Sequence, residues 1–179
     1  MHARRSASRG LRGSGYDGPS MMLDPRWKPS VTVAAVIEQA GRFLLVEEHT
    51  PDGLRLNNPA GHLDPGESLL QAVVREVLEE TAYPFTPSHL VGIYLARLQR
   101  GNEDITYLRF AFAGTVGPAE AGRPLDAPIV RTLWLTPAEI EASQARHRSP
   151  LLWRCVQDHR AGRRYPLDAL STDGDLSRV

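Results

Sequence analysis

The segment GHLDPGESLLQAVVREVLEETAY, residues 61–83, decides how the rest of the chain is read. Its opening is turn chemistry, with Gly61, Pro65 and Gly66 breaking any regular element. Ser68 with Gln71 three residues later makes a capping box, so a helix is expected from Ser68 to about Thr81, and Pro84 prevents its continuation. On that helix Leu70, Val74, Val77 and Leu78 share one side, predicted to pack on a sheet, while Glu76, Glu79 and Glu80 share another. Like charges three and four apart repel at roughly 0.2–0.5 kcal/mol per pair. Either water solvates this acidic face or a ligand offsets the repulsion.

Upstream, VTVAAVI from Val31 is β-branched and apolar, and RFLLVEE from Arg42 follows the turn signal Gln39-Ala40-Gly41, which together predict a hairpin. LRLNNPAGHLDPGE holds a short strand near Leu54 to Leu56 and then a loop. Downstream, HLVGIYLARLQ and ITYLRFAFAGTV are strands joined by the polar turn RGNED, and IVRTLWL from Ile129 is another. Thr136-Pro137-Ala138-Glu139 starts a helix, and SPLLWRCVQDHRAG forms a further one closed by Gly162. The loop GPAEAGRPLDAP is expected to be the loosest segment of the domain. Strands with interspersed helices predict an α/β or α+β sandwich around a mixed sheet.

The chain's 179 residues, 41% hydrophobic and 23% charged, suit one globular domain. Basic and acidic residues balance at 21 each, which removes the electrostatic footprint of a nucleic-acid binder. No apolar run reaches bilayer length, so no membrane partner is expected. Cys155 is the only cysteine, which points to a reducing, cytoplasmic setting. The first 21 residues, rich in Arg, Ser and Gly, predict a disordered extension; a transit peptide, a tail, or a start at Met21 or Met22 are all compatible with it. The domain is expected over residues 22–170, with a tail over 171–179.

Gly61, Glu67, Arg75, Glu76, Glu79 and Glu80 stand in a spacing that resembles the Nudix box: Gly, five residues, Glu, seven residues, Arg-Glu, an aliphatic, any residue, Glu-Glu. The likeness extends through RWKPSVTVAAVIEQAGRFLLVEE, NNPAGHLDPGESL, YLRFAFAG, RSPLL and RYPLD, which are similar to the NudJ-type phosphatase branch of that family. Two positions depart from the box. Ala82 replaces a Gly that would serve as a left-handed C-cap, and Tyr83 replaces an aliphatic residue.

The resemblance implies an α/β/α sandwich and a hydrolase that uses a divalent cation, Mg²⁺ with Mn²⁺ able to substitute. It assigns Glu76, Glu79 and Glu80 as metal ligands or water-activating groups, with the Gly61 carbonyl as a further ligand. Hard cations take such carboxylate oxygens together with substrate phosphates. Glu79 or Glu80 is the expected base, and Arg75, four residues before Glu79, is expected to orient it by an ion pair. Arg109 faces away from Leu108 and Phe110 and either meets a substrate phosphate or pairs within the sheet. His62 either touches phosphate or is an exposed loop residue, and Glu67 is either structural or catalytic. Glu120 and Asp126 are read as solvated loop charges, Trp134 and Trp153 as core.

The implied substrates are small-molecule diphosphates: nucleoside di- and triphosphates and thiamine-related diphosphates. Alternatives are an ADP-ribose or dinucleotide pyrophosphatase, and a nucleotide sensor on the same fold. The protein is expected to be a monomer or a homodimer.

Overall fold

A computed structural model describes residues 27–100 and 103–172. The expected extension over 1–21 lies outside the described residues, as does most of the expected tail. No helix among the described residues is long and apolar enough to cross a membrane.

The first two strands, β1 (Ser30–Gln39) and β2 (Arg42–Thr50), are joined by the two-residue turn Ala40-Gly41, both at positive φ. That is the backbone twist a tight hairpin needs. Yet the two pair only at Glu38↔Phe43 and Gln39↔Arg42, and then part. β1 goes on to pair in parallel with β6 (Glu103–Val116), which is antiparallel to β5 (Phe85–Arg100). β2 is flanked by β3 (Gly53–Asn57) and β7 (Ile129–Leu135). The result is a mixed seven-stranded sheet in the order β3-β2-β1-β6-β5, with β7 also on β2 and the short β4 (Ala60–His62) also on β1.

Alternation along β1 supplies two cores. Val33, Ala35 and Ile37 meet α1 (Leu69–Thr81), while Ala34 and Val36 meet α2 (Pro137–Ala142) and α3 (Leu151–Arg160). Burial on both faces is why this strand reads as a nearly continuous apolar run. Trp134 and Trp153 are partly buried against these cores. The expected α/β/α sandwich is the observed one.

Both predicted caps are present. Ser68 and Gln71 exchange side-chain and backbone hydrogen bonds at the start of α1, and Thr136 and Glu139 do so at α2. The buried side of α1 is Ala72, Val73, Val77 and Thr81, rotated from the expected stripe; Leu70 and Val74 sit on its flank. Small residues at the contact let the helix lie close to the sheet, and the larger side chains fill its edges.

The loop over 117–128 is not loose. The Glu120 and Asp126 amides donate to the Ala82 and Glu79 carbonyls at 2.8 and 3.0 Å, and the Gly117 amide donates to Pro84 at 3.0 Å. It thereby satisfies carbonyls that the end of α1 would leave without a partner.

Candidate active site

Three consecutive residues of β4 meet three side chains of α1. The Ala60 amide donates to Glu80 Oε2 at 2.8 Å, and Arg75 donates to the His62 carbonyl at 3.0 Å. Between them Gly61 lies directly beneath Glu76: a Cβ added there would stand 2.0 Å from the Glu76 Cδ. Only glycine allows this approach.

Arg75 gathers the remaining carboxylates. It bonds Glu67 through Nε at 3.0 Å and Nη2 at 2.7 Å, Glu76 at 2.8 Å and Glu79 at 3.0 Å. The expected pair with Glu79 is therefore formed, within a wider clamp. These ionic bonds hold the guanidinium pKa above its usual range, Glu67 contributing most, and hold Glu67 below the usual carboxylate range. Glu67 also accepts from the Asp64 amide at 2.8 Å, so its contacts brace the loop before the helix.

Glu76 and Glu80 behave differently. Burial raises both, Glu76 against the pull of Arg75, and Glu80 up to about 8 despite its bond from Ala60. Glu76 and Glu48 add like charge near Glu80. Among the described residues no three His, Cys, Asp or Glu side chains converge tightly enough to hold an ion. Arg75 stands where Glu76 and Glu79 would otherwise meet. The donor set nevertheless fits a hard cation: two partly buried carboxylates, Glu76 and Glu80, whose charge burial disfavours, Glu79 beside them, and a glycine, Gly61, against which Glu76 can lie because no Cβ intervenes.

A single cavity of about 410 Å³ collects Gly61, His62, Arg75, Glu76, Glu79, Glu80 and Arg109 along its walls. His62, Thr32 and Arg109 are neighbours across β4, β1 and β6, so they form one row on the sheet. Arg109 is buried, and its Nε and Nη1 have no hydrogen-bond partner among the described residues, so the alternative of pairing within the sheet is not realised. Burial lowers its pKa from the ordinary guanidinium value. His62 lies with its ring 6.3 Å from that of Tyr107.

Asp126, read as a solvated loop charge, lines the cavity because its loop is docked on α1; Glu120 instead pairs with Arg123 at 3.0 Å. Asn57, Asp64, Tyr107 and Arg148 also line the cavity and were missed. Asn57 sits two residues before the Pro-Ala-Gly turn and Arg148 two before Pro150, positions that announce turns and not chemistry.

Residues 26–154 match the NUDIX domain family. Over 146 residues the chain is 37% identical to phosphatase NudJ of Escherichia coli K12, covering 80% of this chain and 92% of that protein. It is similar to the solved NUDIX hydrolase from Nitrosomonas europaea at 53% identity and a TM-score of 0.76, over 82% of this chain and 98% of that one. The fold is also shared with a UDP-X diphosphatase at 18% identity and a TM-score of 0.62, over 79% and 69% of the two chains.

Proposed function

The chain belongs to the Nudix hydrolase family, and from that premise we propose that it is a Mg²⁺-dependent phosphatase of nucleoside di- and triphosphates and related organic diphosphates, thiamine-related ones included. One observation carries the reading: a single cavity presents Glu76, Glu79 and Glu80 on one wall and, on another, a buried Arg109 whose Nε and Nη1 have no hydrogen-bond partner among the described residues. A diphosphate complexed to a cation is complementary to both walls. Likeness to a protein named phosphatase favours release of orthophosphate over internal cleavage.

Nudix hydrolases use divalent metal ions. In this chain Glu76, Glu79, Glu80 and the Gly61 carbonyl would hold Mg²⁺, or Mn²⁺ in its place. Bound there, the ion would neutralise charge on the diphosphate oxygens as the P–O bond breaks. Glu79 or Glu80 takes a proton from the attacking water. Arg75 fixes Glu79 through the 3.0 Å ion pair and Glu76 through the 2.8 Å one, so both enter the reaction already oriented. Arg109 and His62 meet the phosphate from the sheet. The catalytic domain spans 22–170, acts in the cytoplasm as a monomer or homodimer, and takes small molecules.

The test is phosphate release with Mg²⁺ from ADP, ATP, thiamine diphosphate, ADP-ribose and a dinucleotide. Glu79→Gln should lose about 10²- to 10⁴-fold in rate with its melting curve preserved. Wild-type rates in both that variant and Glu80→Gln, or orthophosphate from ADP-ribose only after a second phosphatase is added and none from ADP, would refute the proposal.

A further inference from the structure

We infer that the outer edge of β5 is the interface of a two-fold homodimer, in which Leu95 of each copy stands opposite Leu95 of the other and the paired strands flank the cavity.

β5 ends the sheet order β3-β2-β1-β6-β5. On its outer side Leu90 exchanges backbone hydrogen bonds of 2.9 and 2.8 Å with Tyr165. From Gly92 to Arg100 that edge has no strand partner among the described residues. An open row of N–H and C=O groups invites another strand, and folded proteins guard against this with proline, bulges or charge. Here Pro87 and both register shifts, at Pro87/His89 and Leu90/Gly92, fall in the half next to Tyr165, while the pairing with β6 is regular from Gly92 onward. The charge in mid-edge, Arg97, is neutralised by Asp104 of β6 through bonds of 2.6 and 2.5 Å. The open half is therefore the unguarded half.

It is also apolar. Val33, Phe110 and Ile93 are neighbours across β1, β6 and β5, as are Val31, Leu108 and Leu95. Val33 packs under α1, but the rows run out past the helix, and at the edge Ile93 is 55% and Leu95 67% exposed. Both point to the same face of the sheet, two residues apart.

A second copy is the occupant that charge and register favour. With 21 basic and 21 acidic residues the copies carry no net charge to keep them apart. In a two-fold antiparallel pair one residue must face itself, and the rest follow from that choice. An axis at Ile93 drives the partner strand into Tyr165. One at Arg97 sets like charges opposite each other, which is destabilising, and one at Ala96 sets Leu95 against Arg97. The axis at Leu95 joins the most exposed apolar side chains of the strand and places Ile93 against the aliphatic stem of Arg97, whose charge is already paired. The ladder then runs between Gly92 and Leu98 of the two copies and stops short of Leu90. Since Ala96, Arg97 and Leu98 line the cavity, the second copy stands at its rim.

The test is sedimentation velocity of the full chain between about 1 and 100 µM, where the wild type should pass from monomer to dimer. Leu95→Lys sets two ammonium groups opposite each other and should weaken the dimer at least about tenfold. Its monomer should melt as the wild type does, because Leu95 is exposed. Leu95→Cys should form a disulfide-linked dimer under mild oxidation, since directly opposed Cβ atoms lie about 4.5–5.5 Å apart. Gln99→Cys should not, and Cys155 is buried and takes no part. The edge amides of residues 92–98 should gain protection from hydrogen exchange as concentration rises. A wild-type monomer throughout the range would overturn the proposal, as would an undiminished dimer in Leu95→Lys, or cross-linking through Leu95→Cys no greater than through Gln99→Cys. Edge amides protected equally in the monomer would assign the edge to residues 1–26 of the same chain and overturn it too. None of these readouts involves turnover, so they stand or fall separately from the hydrolase reading.

Discussion

Replacing Ala82 by glycine should leave the melting temperature within about 2 °C of wild type, while the same change at Ala40 should raise it by about 1–4 °C. Both alanines occupy the left-handed region, Ala82 at φ 60 as the C-cap of α1 and Ala40 at φ 49 in the β1–β2 turn. An L-residue pays about 1–2 kcal/mol there, and glycine returns it. Glycine in turn costs about 0.4–1 kcal/mol through the freer unfolded chain. At exposed Ala40 the balance is a gain of about 0.5–1 kcal/mol, since a Cβ at that surface packs against little.

Ala82 is 6% exposed, so its methyl also leaves the core, which costs about 0.8 kcal/mol. The terms nearly cancel. Calorimetry of the two variants, at about 2–4 °C per kcal/mol for a chain of this size, reads the difference directly. A fall of more than about 4 °C for Ala82→Gly would refute the claim that the cap is strained. A rise equal to that at Ala40 would refute the contribution of the buried methyl. Turnover should be unchanged in both, since neither residue lines the cavity.

Gly61→Ala should leave the fold intact, because the nearest obstacle is the movable end of Glu76, but should displace that carboxylate. Mn²⁺ affinity by electron paramagnetic resonance should drop at least about tenfold, the scale of losing one ligand's alignment; unchanged affinity would separate Glu76 from the metal. Glu80, held up to about 8 by burial, binds its proton more tightly in the folded chain than in the unfolded one. Stability in EDTA should therefore fall as pH rises from about 4.5 to 8. Glu80→Gln, which keeps an acceptor for Ala60, should gain on wild type by on the order of 1–3 kcal/mol at pH 8 and by nothing at pH 4.5. Parallel melting curves across that range would contradict the buried setting of Glu80.

The elements that announced themselves did so through local chemistry. Ser68 with Gln71 and Thr136 with Glu139 are capping boxes whose partners lie three residues away, and the Ala40-Gly41 turn is self-contained. The acidic spacing from Gly61 to Glu80 was readable because one strand and one helix contain it. What escaped depends on contacts distant in sequence. Arg148 meets Glu48 a hundred positions upstream, and nothing near either residue signals it. The buried stripe of α1 was misjudged because hydrophobicity favours leucine, whereas close approach to the sheet favours Ala72 and Thr81. The 117–128 loop looked mobile by composition, but its order comes from backbone amides, which composition does not report.

That loop makes the carboxylate helix answerable to a segment outside it. The carbonyls of Glu79 and Ala82 are held by amides of Asp126 and Glu120, so the last turn of α1 cannot unwind until the crossover between β6 and β7 lets go. The two pieces form one cooperative opening unit, and their amides should exchange with solvent deuterium at a common free energy instead of the graded fraying of a free helix end. Lengthening this surface loop would therefore be felt in the carboxylate wall of the cavity, although the altered residues touch no substrate.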